Sequence, residues 1–273
     1  MAIPADSPPA PPEFDSERVP WTGRDVVAGI AWLIGIFIAE EIIVGIAAVA
    51  NGSATSNTTY AAAFIVGAIA EVGFGAVAIA MTAGKYGGGL RRLGVRPITG
   101  TTMMWAGFAF VGGLVISFAY GAIIQAFHIE QLQSQCAEQI PDGVRHTRWL
   151  LALASVVVIA CAPVFEELFF RGFVFPGLAR VWGVVAAIIV SALLFSGAHL
   201  DYKSFIPIAG VGMVFAFTYW RSGNIFSTMF AHCAFNSTSI AFIAGGSCDS
   251  IAGRPAALFV AHLLATLPPV HWL

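Results

Sequence analysis

Charge is what this sequence has least of. Only 10% of its 273 residues are Asp, Glu, Lys or Arg, against about 25% in an ordinary globular protein. So few charges cannot cover a water-facing surface of this size, which excludes a soluble globular domain. Concentrated positive charge is missing too. The 13 basic residues are outnumbered by 15 acids and scattered along the chain, with a pI near 6.3, so there is no basic stripe and no nucleic-acid partner is expected. Cysteine is scarce: four residues and no CxxC spacing exclude both a disulfide-built scaffold and a cysteine-based zinc module. Cys161 and Cys233 lie inside apolar runs, where a thiol simply packs. Cys136 and Cys248 fall in expected loops on one side of the membrane and form a disulfide only if that side is oxidising. The N-terminus lacks the basic start and short apolar core of a cleaved signal, so the first apolar run is expected to be retained. Residues 1–22, with the run Pro8 to Pro12 and the acids Glu13, Asp15 and Glu17, are too poor in apolar surface to order themselves and are expected to form a disordered tail.

What is abundant is apolar side chain: 58% of the chain, with a mean hydropathy of +0.82. A spanning helix uses about 20 such residues. The apolar runs predict spans near 25–50, 60–83, 102–127, 149–175, 183–200, 204–220, 224–245 and 255–268. The fold class is therefore all-α, a polytopic bundle of about eight transmembrane helices, forming one domain over 23–273. Alternation of the spans places Arg18, Arg24, Lys85, Arg91, Arg92, Arg96, Arg180 and Arg221 on one side, which the positive-inside rule makes cytoplasmic. There is no internal repeat of the kind that builds common transporters.

Ionisable residues at bilayer depth are costly and mark function. The densest group is Glu166-Glu167-Leu168-Phe169-Phe170-Arg171-Gly172. Glu167 and Arg171 are four apart on one helical face, acid before base, the favourable order for an ion pair. Glu166 is rotated away and left free as a general acid or base. Phe195 to His199 closes the next span, and His232 and Asn236 share a face of a later one. If the fourth and fifth spans form a hairpin turning near Trp182 and Gly183, Glu166 and His199 lie equally far from the turn. Both are about 15–25 Å from the basic ends at ~1.5 Å per residue, allowing for a break at Pro176 and Gly177, and His232 and Asn236 fall in the same layer. One carboxylate and one imidazole can deprotonate a water, while a second imidazole and an amide stabilise the oxyanion of a scissile carbonyl. Ser196 is a poor nucleophile beside His199, since neighbouring helical positions point apart.

Taken in order, EExxxR (Glu166, Glu167, Arg171), FxxxH (Phe195, His199) and HxxxN (His232, Asn236) resemble the CPBP family of intramembrane endopeptidases. That family includes type II CAAX prenyl proteases and bacteriocin-processing and self-immunity proteins. The resemblance covers about 149–245. A small-residue motif of the family is matched by Gly212 and Ala216, with Ala209 in place of its phenylalanine. The resemblance implies that Glu166 and His199 activate water, that Glu167 supports the site through Arg171, and that His232 and Asn236 form an oxyanion hole. It implies a peptide or membrane-protein substrate presented at the bilayer, and the plasma membrane of a bacterium as the location. No cofactor is favoured. Zinc held by Glu166, His199 and His232 is the alternative, although HExxH is absent and Asn is a poor zinc ligand.

Two rival readings stand beside this one. Glu40, Glu41 and Glu71 also lie inside predicted spans, and such acids build the relays of proton- or ion-coupled transporters. A non-catalytic scaffold or immunity protein on the same fold is the other, yet all six site residues are present. His262 in the last predicted span has no evident partner.

Overall fold

The computed structural model describes residues 14–15, 17–132 and 140–244, and all regular structure among them is helical. Seven long helices follow one another: α1 (Gly23–Ala50), α2 (Asn57–Gly84), α3 (Gly100–Ala126), α4 (Arg148–Trp182), α5 (Val184–Ala198), α6 (Phe205–Ser222) and α7 (Ile225–Ala244). They coincide with the first seven predicted spans. The eighth, with His262, Cys136 and Cys248, lies outside the described residues. Four of the helices, α1 to α4, are long and apolar enough to cross a membrane unaided. The protein is a multi-pass membrane protein.

Local chemistry sets the helix ends. Asp25 accepts hydrogen bonds from the backbone N–H and hydroxyl of Thr22 at the start of α1 (2.7 and 2.9 Å), and Ser56 accepts from Thr59 N at the start of α2 (3.1 Å). Gly183, at φ 79° and ψ 165°, makes the sharp turn between α4 and α5 that a side chain would oppose.

The bundle is apolar on its outside as well as its inside. Ile34, Ile38, Ile42, Ile46 and Val49 of α1 are all exposed, as are Met103, Met104, Phe108, Val111 and Val115 of α3. Such faces are stable only against lipid. Inside, α4 is the hub: it packs on α2, α5, α6 and α7, while α1 pairs with α2 and α3 with α6 and α7. Residues 167–179 of α4 are buried without interruption.

α4 is not a regular helix. Wide, π-helical turns occupy Val157–Cys161 and Leu168–Val174, on either side of a regular segment Ala162–Glu167. Prolines explain both. Pro163 and Pro176 each lack an N–H, and each ring crowds the carbonyl four residues earlier, Ile159 and Gly172, which lie inside the two wide turns. Widening the turn relieves the clash without breaking the helix, so the break anticipated at Pro176 is absorbed instead. π-turns concentrate at functional sites, and the second of these carries Arg171.

The tail expected over 1–22 is packed at its described end. Val19 and Trp21 are fully buried, and Phe14 meets Phe175 edge-on with ring centroids 5.4 Å apart. Three of the basic residues assigned to one side, Arg18, Arg92 and Arg180, meet at this segment: Arg92 donates to the carbonyls of Glu17 and Arg18, and Arg180 to those of Val19 and Trp21.

Candidate active site

Three helices converge around the Glu166-Glu167 pair. Glu167 on α4 is wholly buried, and its Oε1 accepts from Arg171 Nη1 one turn on, at 3.0 Å. The same oxygen meets Nδ1 of His232 on α7 at 3.0 Å. The other end of that imidazole, Nε2, faces Glu166 Oε2 at 3.8 Å. His232 thus lies between two carboxylates, oriented by one and facing the other. A carboxylate holding Nδ1 fixes the ring's orientation and favours a proton on that nitrogen, which leaves Nε2 directed at the space before Glu166.

Arg171 is as buried as its partner and spends its charge locally. Its Nη2 donates to the Gly212 carbonyl of α6 at 3.3 Å. Its guanidinium lies 4.1 Å from the centroid of the Phe195 ring and 5.4 Å from that of Phe215. The helices can close on it because Gly212 has no side chain: a Cβ there would stand 3.1 Å from Ala192 Cβ and 3.2 Å from Phe195 Cδ1. Gly212 therefore permits the close α5–α6 contact.

His199 ends α5. Its ring is edge-on to Phe195 at 4.8 Å, and Phe195 is 5.9 Å from the His232 ring, so one phenylalanine separates the two imidazoles. His199 Nδ1 is 2.9 Å from the Phe195 carbonyl. Among the described residues it forms no ion pair with Glu166, whose ion-pair partner is His232. α5 has 15 residues, about 22 Å of helix against a hydrocarbon layer of ~30 Å, so a helix starting at the basic end leaves His199 short of the far surface. Leu200, the next residue, is left-handed at φ 52° and exposed. Such a conformation costs a non-glycine residue about 1 kcal/mol and often accompanies function.

Asn236 lies one turn beyond His232 and donates from Nδ2 to the Val158 carbonyl, inside the first wide turn of α4, at 2.8 Å. Its amide carries a second hydrogen. Ser196 donates to the Phe205 carbonyl at 2.6 Å, so its hydroxyl is engaged across the α5–α6 turn and away from chemistry. Glu71, given no role by the motifs, stands on α2, which packs on the Ala162–Glu167 segment of α4, and the Glu40 carboxyl of α1 reaches α2 one turn before it, where a Cβ on Gly67 would lie 3.2 Å from Glu40 Oε1. Glu41 is exposed. The signal for Glu71 was present in the sequence as an acid in an apolar run, but only the fold shows which segment of α4 its helix packs on.

No three of the described His, Cys, Asp or Glu side chains are grouped as a metal site requires, and Glu166, His199 and His232 are no exception. The four-member chain Glu166, His232, Glu167 and Arg171 is instead built from hydrogen bonds and charge.

This buried acid–imidazole–acid–guanidinium chain lies within the part of the protein that matches a known family. The model of the "Type II CAAX prenyl endopeptidase Rce1-like" family matches residues 148–238, from the start of α4 into α7 and including all six site residues. Among curated proteins, the chain is 27% identical over 147 residues to the "Putative membrane peptidase YdiL" of Bacillus subtilis (strain 168), covering 54% of this chain. The chain spans about 58% of the length of that relative. No solved structure matches it significantly.

Proposed function

We propose that the protein is an intramembrane endopeptidase that hydrolyses a peptide bond of a peptide or membrane protein presented at the bilayer. The observation that carries the reading is the alignment of Nε2 of His232 with Oε2 of Glu166, 3.8 Å apart, while Glu167 and Arg171 hold the far side of the ring. Glu166 takes a proton from water and the resulting hydroxide attacks the carbonyl carbon. The oxyanion accepts hydrogen bonds from the second amide hydrogen of Asn236 and from Nε2 of His232 acting as an imidazolium, the form that donates to Glu167 at Nδ1 and to the oxyanion at Nε2. Glu166 then returns the proton to the leaving amine, so atoms and charge balance. His199, across Phe195, assists the water from the α5 side. The match of 148–238 to the Rce1-like model and the similarity to YdiL support peptidase chemistry. A CAAX-type or bacteriocin-like precursor is the substrate class these similarities favour, at the plasma membrane of a bacterium with the basic end cytoplasmic. The reading needs no metal.

One observation favours a second reading: Glu40, Glu71 and Glu166 lie on three helices packed against one another, α1, α2 and α4, as acids of proton-coupled transporters do. Incubating the purified protein with a proteome-derived peptide library in heavy-oxygen water separates the two. Hydrolysis yields new C-termini carrying the heavy oxygen, which disappear in Glu166→Ala. Folded wild type that cleaves nothing but carries protons across vesicle membranes supports the transporter.

A further inference from the structure

The described N-terminal residues 17–22 do more than enter the membrane. Trp21, fully buried, donates its indole N–H to the Phe173 carbonyl at 3.0 Å. Phe173 belongs to the wide turn Leu168–Val174 and lies two residues after Arg171. A carbonyl of the turn that carries Arg171 therefore takes a hydrogen bond from outside its own helix. The segment that supplies it is itself anchored. Arg180 Nη1, at the end of α4, donates to Val19 O at 2.8 Å and Trp21 O at 3.1 Å. Arg92 Nη1, from the loop after α2, donates to Glu17 O at 2.8 Å and Arg18 O at 3.2 Å. Four strap carbonyls are thus held by two guanidinium groups on different elements.

The packing closes on the same turn from either side. A Cβ on Gly29 of α1 would come within 2.3 Å of the Phe173 ring, and one on Gly177 within 2.8 Å of the Trp21 indole nitrogen. Bare backbone at Gly29 lets α1 press on Phe173, and bare backbone at Gly177 lets Trp21 of the strap and Val26 of α1 close on α4. The Phe173 ring in turn meets Phe169, at the start of the same wide turn, at 5.7 Å. A wide turn is less constrained than a regular helical one. Its Arg171 must nevertheless reach Glu167 at 3.0 Å to keep His232 aligned.

We propose that residues 17–22 form a strap that holds the Arg171-bearing turn in register, with Trp21 as a positioning residue for hydrolysis at Glu166. The kinetic part of this inference rests on the hydrolytic reading above. The indole acts through the Phe173 carbonyl and Arg171, and touches no reacting atom. Its loss shows as misalignment of the site and not as weaker substrate binding.

The test uses the full chain purified in detergent, comparing wild type, Trp21→Phe, Arg180→Gln and Glu166→Ala. Trp21→Phe keeps an aromatic ring and removes the donor. Per folded molecule it lowers kcat about tenfold at unchanged KM, the effect of one buried carbonyl left without its partner. Amide exchange over 168–177 speeds up while α3 and α6 keep their wild-type rates. A Trp21→Phe protein with a lower melting temperature but full kcat per folded molecule shows mere packing and overturns the strap, as do unchanged exchange rates. If Trp21→Phe does not fold, Arg180→Gln, which loosens the strap from a partly exposed position, is read in the same way. Wild type without Glu166-dependent cleavage refutes the hydrolytic reading instead, and exchange over 168–177 alone then decides the strap.

Discussion

Replacing Arg171 by methionine tests whether the buried charge chain holds the site together. Glu167 is wholly buried and Arg171 almost so. The substitution leaves the Glu167 carboxylate without its cation, though still held by His232, and leaves the Gly212 carbonyl without its side-chain donor. Removing one member of a buried ion pair costs about 3–5 kcal/mol, because the other charge stays desolvated. For a chain of this size each kcal/mol lowers the melting temperature by about 2–4 °C, so a fall of about 10 °C is expected. Loss of the guanidinium stacked 4.1 Å from Phe195 acts in the same direction. The double variant Glu167→Gln, Arg171→Met removes both charges and recovers about half of the loss, since no uncompensated ion remains. Thermal unfolding in detergent, followed by near-ultraviolet circular dichroism, measures both. An Arg171→Met protein melting within about 2 °C of wild type refutes the reasoning, as does a double variant less stable than the single one.

Other expectations follow from the same geometry. Ser196→Ala retains cleavage within about threefold of wild type, because the hydroxyl serves the Phe205 carbonyl and a lost hydrogen bond of that kind costs about 1 kcal/mol; a loss of three orders of magnitude in kcat would restore a serine mechanism. Gly75→Leu lowers kcat, since even a Cβ there would sit 2.4 Å from the Phe165 ring, the residue before Glu166; wild-type kinetics in this variant contradict the packing. Outside the spans, Lys85 titrates above the ordinary lysine range because Asp25 and Tyr86 accept its hydrogen bonds. A raised cation pKa contributes stability below the ordinary lysine value and loses it as pH rises through the raised one. Melting temperature should therefore fall slightly across that alkaline interval in wild type and not in Lys85→Met, and parallel curves for the two proteins count against the contact.

Much of this architecture is legible in the sequence, because apolar run length and the cost of intramembrane charge leave few alternatives. The seven described spans and the Glu167–Arg171 pair follow from period and spacing alone. What could not be read is set by long-range packing. EExxxR spacing does not reveal that His232 would face both acids, because that depends on how α7 leans against the widened turns of α4. His199 meets Phe195 edge-on at the end of α5, a contact that the FxxxH spacing allows but does not fix. The strap was missed for another reason. A proline-rich, acidic start has the composition of a tail, and the burial of Trp21 depends on a carbonyl 152 residues away.

The most direct measurement compares cleavage of one identified library peptide by wild type, by Glu166→Gln, and by wild type stripped with a zinc chelator. Glu166→Gln, which keeps the shape and loses the base, is expected to abolish hydrolysis, while the chelated protein is expected to cleave at the untreated rate. Full activity in Glu166→Gln, or loss of activity on chelation that zinc restores, would contradict that expectation.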